Sequence, residues 1–112
     1  MTERMTVLIN AIKDQALNIK TYELVSLDGE VLPSFTAGSH IDFFLSNGLI
    51  RQYSLSNPSN ERNRYVVGIQ KDEQSRGGSE FIYDNLKVGD EIEISPPRNH
   101  FELDENAQRY KL

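Results

Sequence analysis

The chain has 112 residues, of which 38% are hydrophobic and 26% charged, as expected for one globular domain with a single core. A net charge of −5 without a run of Lys or Arg argues against nonspecific binding to nucleic acid or to an anionic membrane. The lack of cysteine excludes disulfides, thiol catalysis, cysteine-ligated zinc and a resident iron–sulfur cluster, and we expect neither a leader nor a membrane span, hence a cytoplasmic protein.

The first half of the chain predicts four strands. Residues 5–14 and 16–27 show mixed alternation of apolar and polar side chains and are predicted as the first two strands. Asp28-Gly29 closes the second, because both residues tolerate a positive φ. A connecting segment with Pro33 leads to a third strand over residues 38–45. Asn47-Gly48 then predicts a hairpin that folds residues 49–56 back antiparallel to the third strand.

The second half predicts two more strands and one helix. Residues 64–71 are rich in β-formers and contain Gly68, which indicates either a bulge or a close approach to a ligand. Residues 79–86 are predicted as a helix with Ser79 as its N-cap. Residues 91–94 alternate cleanly, so a last strand should turn both isoleucines inward before Pro96-Pro97 stops it. Six antiparallel strands with one helix indicate an all-β barrel or sandwich.

The stretch 51–57, R-Q-Y-S-L-S-N, is the first candidate for chemistry. Side chains alternate in a strand, so Arg51, Tyr53 and Leu55 are expected on one face, and residues 52, 54 and 56 on the other. A guanidinium, an aromatic ring and a nearby hydroxyl suit a planar heteroaromatic ligand with an anionic tail. Taken alone, the stretch favours the other interpretation, a half-buried tyrosine beside a solvated arginine. Asn57-Pro58 ends the strand, because proline cannot donate to a ladder.

A second candidate is the loop before the predicted helix, which reads Arg76-Gly77-Gly78-Ser79. Free backbone N–H groups and the positive end of the helix dipole meet at a helix start. Glycine lets a phosphate approach the backbone closely. The loop therefore predicts an anion site, which the acidic chain must build locally from arginine and backbone groups.

With these two motifs in order, followed by Pro97-Arg98-Asn99-His100-Phe101, the sequence resembles the flavin-binding domain of the ferredoxin-reductase superfamily. Within it, the motifs R-x-Y-S-L-x-N, R-G-G-S and P-R-N-x-F resemble the phthalate dioxygenase reductase branch, most of all the reductase components of vanillate O-demethylases. The resemblance runs over nearly the whole chain. It implies a six-stranded antiparallel Greek-key β-barrel capped by one short helix.

The resemblance also implies roles for the residues of the first motif and of the fifth strand. Arg51 would pair with the flavin phosphate, Tyr53 would lie against the isoalloxazine ring, and Ser54 would donate to the N5 and O4 edge where a hydride arrives. Because strict alternation separates Tyr53 from Ser54, this arrangement requires the strand to bend or twist there. Backbone groups of the fifth strand would run beside the ribityl chain, namely those of Val67, Gly68 and Ile69.

The phosphate would be held at the helix start by Arg76, Gly77, Gly78 and Ser79. This one anion site, without a segment for an adenosine half, favours FMN over FAD. NADH and a 2Fe–2S cluster are expected only in further domains, because G-x-G-x-x-G and cluster cysteines are both absent. We therefore expect residues 1–105 to form the flavin domain and residues 106–112 to begin a linker or nicotinamide domain.

The implied function is that of a flavin domain in an NADH-dependent oxidoreductase. Electrons would pass through a ferredoxin domain to a terminal Rieske-type oxygenase, either an aromatic ring oxygenase or an O-demethylase. The 112 residues alone should not be competent with NADH. The alternative is a non-catalytic β-barrel that binds a partner and no flavin.

Other chemistry has little support in the sequence. His40 and His100 lie far apart, so we predict no metal site. The carboxylates are scattered, which is more typical of solvated or capping roles than of acid–base pairs. The serines lack a nucleophile elbow, and the glycine pair lacks the lysine of a P-loop. Pro96-Pro97-Arg98-Asn99 fits a stiff strand exit as well as it fits a ligand contact.

Overall fold

The computed structural model of the chain describes residues 4–71 and 78–98, apart from the side chains of residues 78–80. Within these residues the chain forms six strands and one helix. They are β1 (Met5–Ala16), β2 (Ile19–Ser26), β3 (His40–Phe44), β4 (Ile50–Ser54), β5 (Tyr65–Gln70), α1 (Gly78–Asn85) and β6 (Glu91–Ile94). Each predicted element is present, and most boundaries lie within one or two residues of the predicted ones.

The strands form one antiparallel sheet in the order β4-β3-β6-β1-β2-β5. Successive strands β3, β4 and β5 are followed by β6, which returns to lie beside β3, so the connectivity is a Greek key. The two terminal strands of the sheet, β4 and β5, meet at a bridge between Leu55 and Val67. The sheet thus curls on itself, and the predicted Greek-key barrel with a short helix is confirmed.

The core lies inside this curled sheet, and strand alternation decides which side chains enter it. Ile92 and Ile94 are 6% and 0% exposed, which confirms that both isoleucines of β6 point inward. The strands and α1 bury a set of large apolar side chains: Val7, Ile9, Tyr22, Leu24, Ile41, Phe43, Leu55, Tyr65, Val67, Ile69 and Ile82. Helix α1 caps one end of the barrel through Ile82, and no described helix has the length and apolar content to cross a membrane.

The first hairpin differs from the sequence prediction. The break between the first two strands was expected at residue 15, but the chain turns at Leu17-Asn18, where Asn18 has a φ of 62°. Two register shifts, between Ile9 and Ala11 and between Asp14 and Ala16, interrupt the alternation along β1. Because each shift moves later side chains to the other face, the period-2 pattern no longer marked the turn.

The second hairpin, between β3 and β4, confirms the turn predicted at Asn47-Gly48. Leu45 N donates to Leu49 O at 2.9 Å, and Gly48 N donates to Leu45 O at 2.9 Å. Gly48 has a φ of 92°, so the three-residue loop ends on a residue in the left-handed region, as in hairpins with a glycine bulge. The short, locally determined loop holds β4 in register with β3 from Phe44–Ile50 to His40–Ser54.

Candidate functional site

The barrel is incompletely closed between β4 and β5. Besides the Leu55–Val67 bridge, Ser56 N donates to Val66 O at 2.8 Å. From that point towards α1, no ladder between described residues joins the two strands. We call this opening the β4–β5 seam. Since the strands are antiparallel, Tyr53 and Arg51 face the second half of β5 across it.

The β4 wall of the seam has the alternation that the sequence predicts. Leu55 is buried, Arg51 and Tyr53 are half-buried, and the side chains of residues 52, 54 and 56 are exposed. The Tyr53 ring packs edge-on against Phe43, with 5.2 Å between centroids and 73° between planes. Burial raises the pKa of Tyr53, so its hydroxyl stays protonated at neutral pH. The wall therefore offers an ordered ring with one side towards the seam.

Ser54 lies on the outer face of β4. Its pairing with His40 continues the regular β3–β4 ladder, and no register shift interrupts that ladder. Leu55 N donates to Ser39 O at 2.9 Å, which continues the same register, and the chain bends only at Asn57, after Leu55 has bridged to β5. A group stacked on Tyr53 can thus meet the Ser54 hydroxyl only past the edge or the end of the strand.

Arg51 lies two pairs beyond Tyr53 along β4, opposite Phe43. Its Nη1 donates to the Ile50 carbonyl at 2.9 Å, a contact that holds the guanidinium near the hairpin end of the strand. It is half-buried rather than extended into solvent. A guanidinium carries five N–H donors in a planar fork, which suits it to an anion.

The β5 wall contributes backbone rather than side chains. Val67 and Ile69 are both 0% exposed, so their side chains belong to the core. Gly68 pairs with Thr21 in an unshifted register, so of the two interpretations of this glycine the bulge does not apply to the β2–β5 ladder, and a Cβ built on Gly68 would have no atom within 4 Å. Val66 uses its N–H and C=O on the β4 side, and alternation directs the same groups of Gly68 and Gln70 into the seam.

At the α1 end, the predicted phosphate loop is only partly within the described residues. Arg76 and Gly77 lie outside them, and α1 begins at Gly78. Ser79 is therefore in the first turn of the helix rather than at the predicted N-cap position. Backbone N–H groups in a first turn have no intrahelical acceptor, so those of Gly78 and Ser79 still suit an anion.

Two lysines that the sequence did not single out lie at this same end of the barrel. Lys20 Nζ is 4.8 Å and Lys71 Nζ is 5.8 Å from the centroid of the Tyr83 ring, and Lys71 also pairs with Asp84 at 3.8 Å. Tyr83 donates from its hydroxyl to Ile69 O at 3.2 Å, which fixes α1 against β5. The lysines are 51 residues apart in the sequence, so no local pattern could have identified them.

Tyr22 presents a buried hydroxyl on the inner side of this region. It is 0% exposed, and its Oη has no hydrogen-bond partner among the described residues. Burial raises the pKa of Tyr22 strongly, and the nearby hydroxyls of Tyr83 and Tyr53 raise it further. A buried donor of this kind is usually satisfied by a partner, and a ligand group is one way to supply it.

The third motif of the sequence holds the segment in which the chain leaves β6. Arg98 Nη2 pairs with Asp42 at 3.0 Å and Nη1 donates to Ser95 Oγ at 3.1 Å, while its backbone bridges to His40. Of the two interpretations left open for this segment, these contacts favour the structural one as far as residue 98. Residues 99–101 lie outside the described part of the chain.

Two further features of the described residues are separate from the seam. A cavity of about 480 Å³ lies between the β3–β4 hairpin and α1, with apolar walls that include Phe44, Leu49 and Phe81. None of the predicted site residues lines it. Within residues 4–71 and 78–98, no three side chains of His, Asp or Glu come together as a metal site.

Comparison with known proteins gives a consistent family. The chain is 49% identical over 108 residues to a vanillate O-demethylase oxidoreductase of Acinetobacter baylyi, covering 96% of this chain and 34% of that protein. It is 43% identical over 97 residues to the phthalate dioxygenase reductase of Burkholderia cepacia, covering 87% of this chain and 30% of that protein. No protein-family model matches the chain.

The fold gives the same result. A solved phthalate dioxygenase reductase, described as a modular structure for electron transfer from pyridine nucleotides to [2Fe-2S], superposes with a TM-score of 0.86 at 40% identity. The match covers 94% of this chain and 33% of that one, so the chain spans about a third of its relatives' length. The chain belongs to the phthalate dioxygenase reductase branch of the ferredoxin-reductase superfamily and corresponds to its flavin-binding β-barrel domain.

Proposed function

We propose that this chain binds FMN in the β4–β5 seam and is the flavin domain of an NADH-dependent oxygenase reductase. The observation that carries the proposal is the seam itself, where a half-buried tyrosine ring faces the edge of β5 and no ladder between described residues joins the two strands. A flavin has an aromatic ring, a polyhydroxyl chain and a phosphate, and the seam offers a counterpart for each.

Each wall of the seam has its own role in this proposal. Tyr53 stacks on the isoalloxazine ring, while the backbone of Val67, Gly68 and Ile69 runs beside the ribityl chain. The β5 edge suits hydroxyl groups because its N–H and C=O groups both donate and accept. Tyr22 Oη, buried near Tyr53 and without a described partner, fits the same polyhydroxyl ligand.

The phosphate is assigned to the α1 end of the seam. Arg51 would approach it from β4, and the N–H groups of Gly78 and Ser79 would approach it from the helix. The sequence motif adds Arg76 and Gly77 to this proposed phosphate site, although both lie outside the described residues. Lys20 and Lys71 add positive charge at the same end of an otherwise acidic chain. One such site matches the single phosphate of FMN, so we propose FMN rather than FAD as the cofactor.

Bound FMN would supply the chemistry of a two-electron acceptor that releases electrons singly. Ser54 is proposed to donate a hydrogen bond to the N5 and O4 edge of the ring. Because Ser54 is on the outer face of β4, the ring must extend past the strand edge for this contact. Ser54 and Tyr53 are thus assigned to the reacting end of the cofactor, and Arg51 to its anchoring end.

The role of the whole protein follows from its relatives. We propose that residues 1–105 form the flavin domain, that residues 106–112 lead into a nicotinamide domain, and that a ferredoxin domain carries a 2Fe–2S cluster. Electrons would then pass from NADH to a terminal Rieske-type oxygenase acting on an aromatic compound, in the cytoplasm. The names of two relatives, a vanillate O-demethylase oxidoreductase and a phthalate dioxygenase reductase, support this class of partner.

A titration with FMN tests the proposal. Binding should quench the fluorescence of FMN and shift its visible absorption bands, because the ring leaves water for an aromatic contact. FAD, titrated in parallel, should bind more weakly. If neither spectrum changes at protein concentrations well above the micromolar range, the alternative of a non-catalytic barrel that binds a partner is correct.

A further inference from the structure

We infer that Asn57 is a positioning residue whose carboxamide sets the geometry of the β4–β5 seam. The inference rests on the proposed function, because the seam is the proposed flavin site. Asn57 is the last residue of the R-Q-Y-S-L-S-N motif. It is three residues from Ser54 and lies at the closed end of the seam.

The contacts of Asn57 link the two walls. Its Oδ1 accepts from Val66 N at 2.9 Å, and its Nδ2 donates to Arg64 O at 3.0 Å and to Glu61 Oε1 at 3.1 Å. The orientation of the amide is determined by this pattern, since Val66 N must meet an oxygen. Both Nδ2 protons and one Oδ1 lone pair are thus engaged, a set that neither Asp nor Ser can reproduce.

These contacts replace a strand ladder. Among the described residues, pairing between the two walls includes the Leu55–Val67 bridge and the bonds from Ser56 N at 2.8 Å and Ser56 Oγ at 3.1 Å to Val66 O. The chain turns away at Pro58, so backbone pairing cannot continue beyond Ser56. The Asn57 side chain supplies the next acceptor for β5 and thereby extends the closure by one position. We call the three hydrogen bonds of the Asn57 side chain the Asn57 clasp. A shift of this clasp would move Tyr53 and Ser54 relative to the β5 edge.

A second layer holds the clasp in place. Arg64 Nε donates to Glu61 Oε1 at 3.0 Å, and Arg64 Nη1 donates to Glu23 Oε2 on β2 at 3.0 Å. Glu61 is therefore shared between Asn57 and Arg64, which keeps its carboxylate aligned with the Asn57 amide. The clasp is anchored to the main sheet rather than to a loop alone.

Three variants separate a positioning role from a purely structural one. Asn57→Ala removes all three hydrogen bonds, and Asn57→Asp keeps an acceptor for Val66 N. Asn10→Ala is the matched control, because Asn10 Nδ2 donates to Glu23 Oε1 at 3.0 Å in the same network but touches neither wall of the seam. For each variant, FMN and riboflavin dissociation constants, the absorption bands of the bound flavin and the urea midpoint without flavin are measured.

We expect Asn57→Ala to raise the dissociation constants of FMN and riboflavin by the same factor, about tenfold. A tenfold change corresponds to the free energy of roughly one net hydrogen bond. The bound-flavin bands should shift relative to the unmodified chain, since the ring is held differently. Asn57→Asp, whose carboxylate would face the Glu61 carboxylate and the Arg64 carbonyl, should lose at least as much affinity as Asn57→Ala, and Asn10→Ala should stay within about twofold. If Asn57→Ala does not fold, Asn57→Asp carries the comparison.

The outcomes distinguish the two proposals. If the unmodified chain binds FMN while both Asn57 variants, shown to be folded by their urea curves, bind within twofold and with unchanged bands, Asn57 is structural only and this inference is overturned. If the unmodified chain does not bind FMN, the proposed function fails and the inference fails with it. A loss confined to FMN, with riboflavin unaffected, would also overturn it, because it would place Asn57 at the phosphate.

Discussion

At the scale of single residues, the site depends on how one strand divides its side chains between two faces. Arg51, Tyr53 and Leu55 point inward, but they do different things: Leu55 is buried in the core, Tyr53 packs on Phe43, and Arg51 remains half-buried. The division leaves a ring and a cation facing the seam. The proposed assignment of Arg51 to the phosphate is therefore open to a direct test.

Arg51→Ala should cost about 1.5 to 3 kcal/mol of FMN affinity, the size of a hydrogen bond to a charged group. Riboflavin, which lacks the phosphate, should lose much less. Calorimetric titration of both ligands measures the difference. Arg51→Lys should restore only part of the FMN affinity, because an ammonium group lacks the planar fork. Equal losses for FMN and riboflavin would show that Arg51 supports the fold rather than the phosphate.

At the scale of elements, the β3–β4 hairpin presents β4 to the seam, and its loop depends on one glycine. Gly48 has a φ of 92°, where an L side chain is strained, although the space around it is open. Gly68, in β5, has the same open space and no positive φ. Substitutions at the two glycines therefore separate the effect of backbone strain from the effect of crowding around an added side chain.

Gly48→Ala should lower the free energy of unfolding by about 1 to 3 kcal/mol through strain at the turn. Gly68→Ala should change it by less than about 0.5 kcal/mol, since the added methyl meets no atom. Urea unfolding of both variants makes the comparison. Similar losses at the two positions would contradict the strain argument. A folded Gly68→Ala chain that binds FMN more weakly would support the proposed close approach of the ligand.

Arg64 links β2, β5 and the loop between β4 and β5, and it makes the stability depend on pH. Hydrogen bonds from Asn10 and Arg64 lower the pKa of Glu23, and those from Arg64 and Asn57 lower the pKa of Glu61. Because the folded-state pKa values are depressed, the stabilisation is present above the unfolded value of 4.5 and is lost as pH falls through the folded values.

Arg64→Ala should therefore lower the urea midpoint at pH 7 and make the decrease below about pH 4.5 shallower. Arg4→Ala is the control, because Arg4 pairs with one carboxylate only, Glu93, and both side chains of that pair are 50% exposed; its other contact, over the Phe44 ring at 4.0 Å, involves no titrating group. Its effect at pH 7 should stay below about 1 kcal/mol. An unchanged acid slope in Arg64→Ala would mean that Arg64 does not hold the two carboxylates in solution.

At the scale of the whole molecule, one curled sheet supplies the proposed flavin site. The described residues contain no second layer that could hold a nicotinamide. All pairings in the described sheet are antiparallel, and the sequence has no G-x-G-x-x-G, so the βαβ unit of a dinucleotide site is absent from it. Hydride transfer requires the nicotinamide within about 3.5 Å of the flavin, and such orientation is worth about 7 to 11 kcal/mol of barrier.

The 112-residue chain saturated with FMN should therefore be reduced readily by dithionite and only slowly by NADH. It should also pass no electrons to an iron–sulfur acceptor at a useful rate. Stopped-flow absorbance at the oxidised-flavin band measures both reductants. Turnover with NADH in the usual enzymatic range of about 1 to 1000 per second would mean that these residues contain a nicotinamide site.

The sequence by itself determined the number and order of the elements, the inward face of β4 and β6 and the turn at Gly48. These features depend on neighbours within a few residues, where alternation and backbone preference act directly. The tertiary structure decided the turn at Asn18, the incomplete closure between β4 and β5, the contacts of Asn57 and the meeting of Lys20 with Lys71. The meeting of the lysines depends on the pairing of β2 with β5, which are far apart in the sequence. The Asn18 turn depends on the register shifts of β1, and the seam and the Asn57 contacts depend on how β4 meets β5. Alternation within one strand encodes none of these registers.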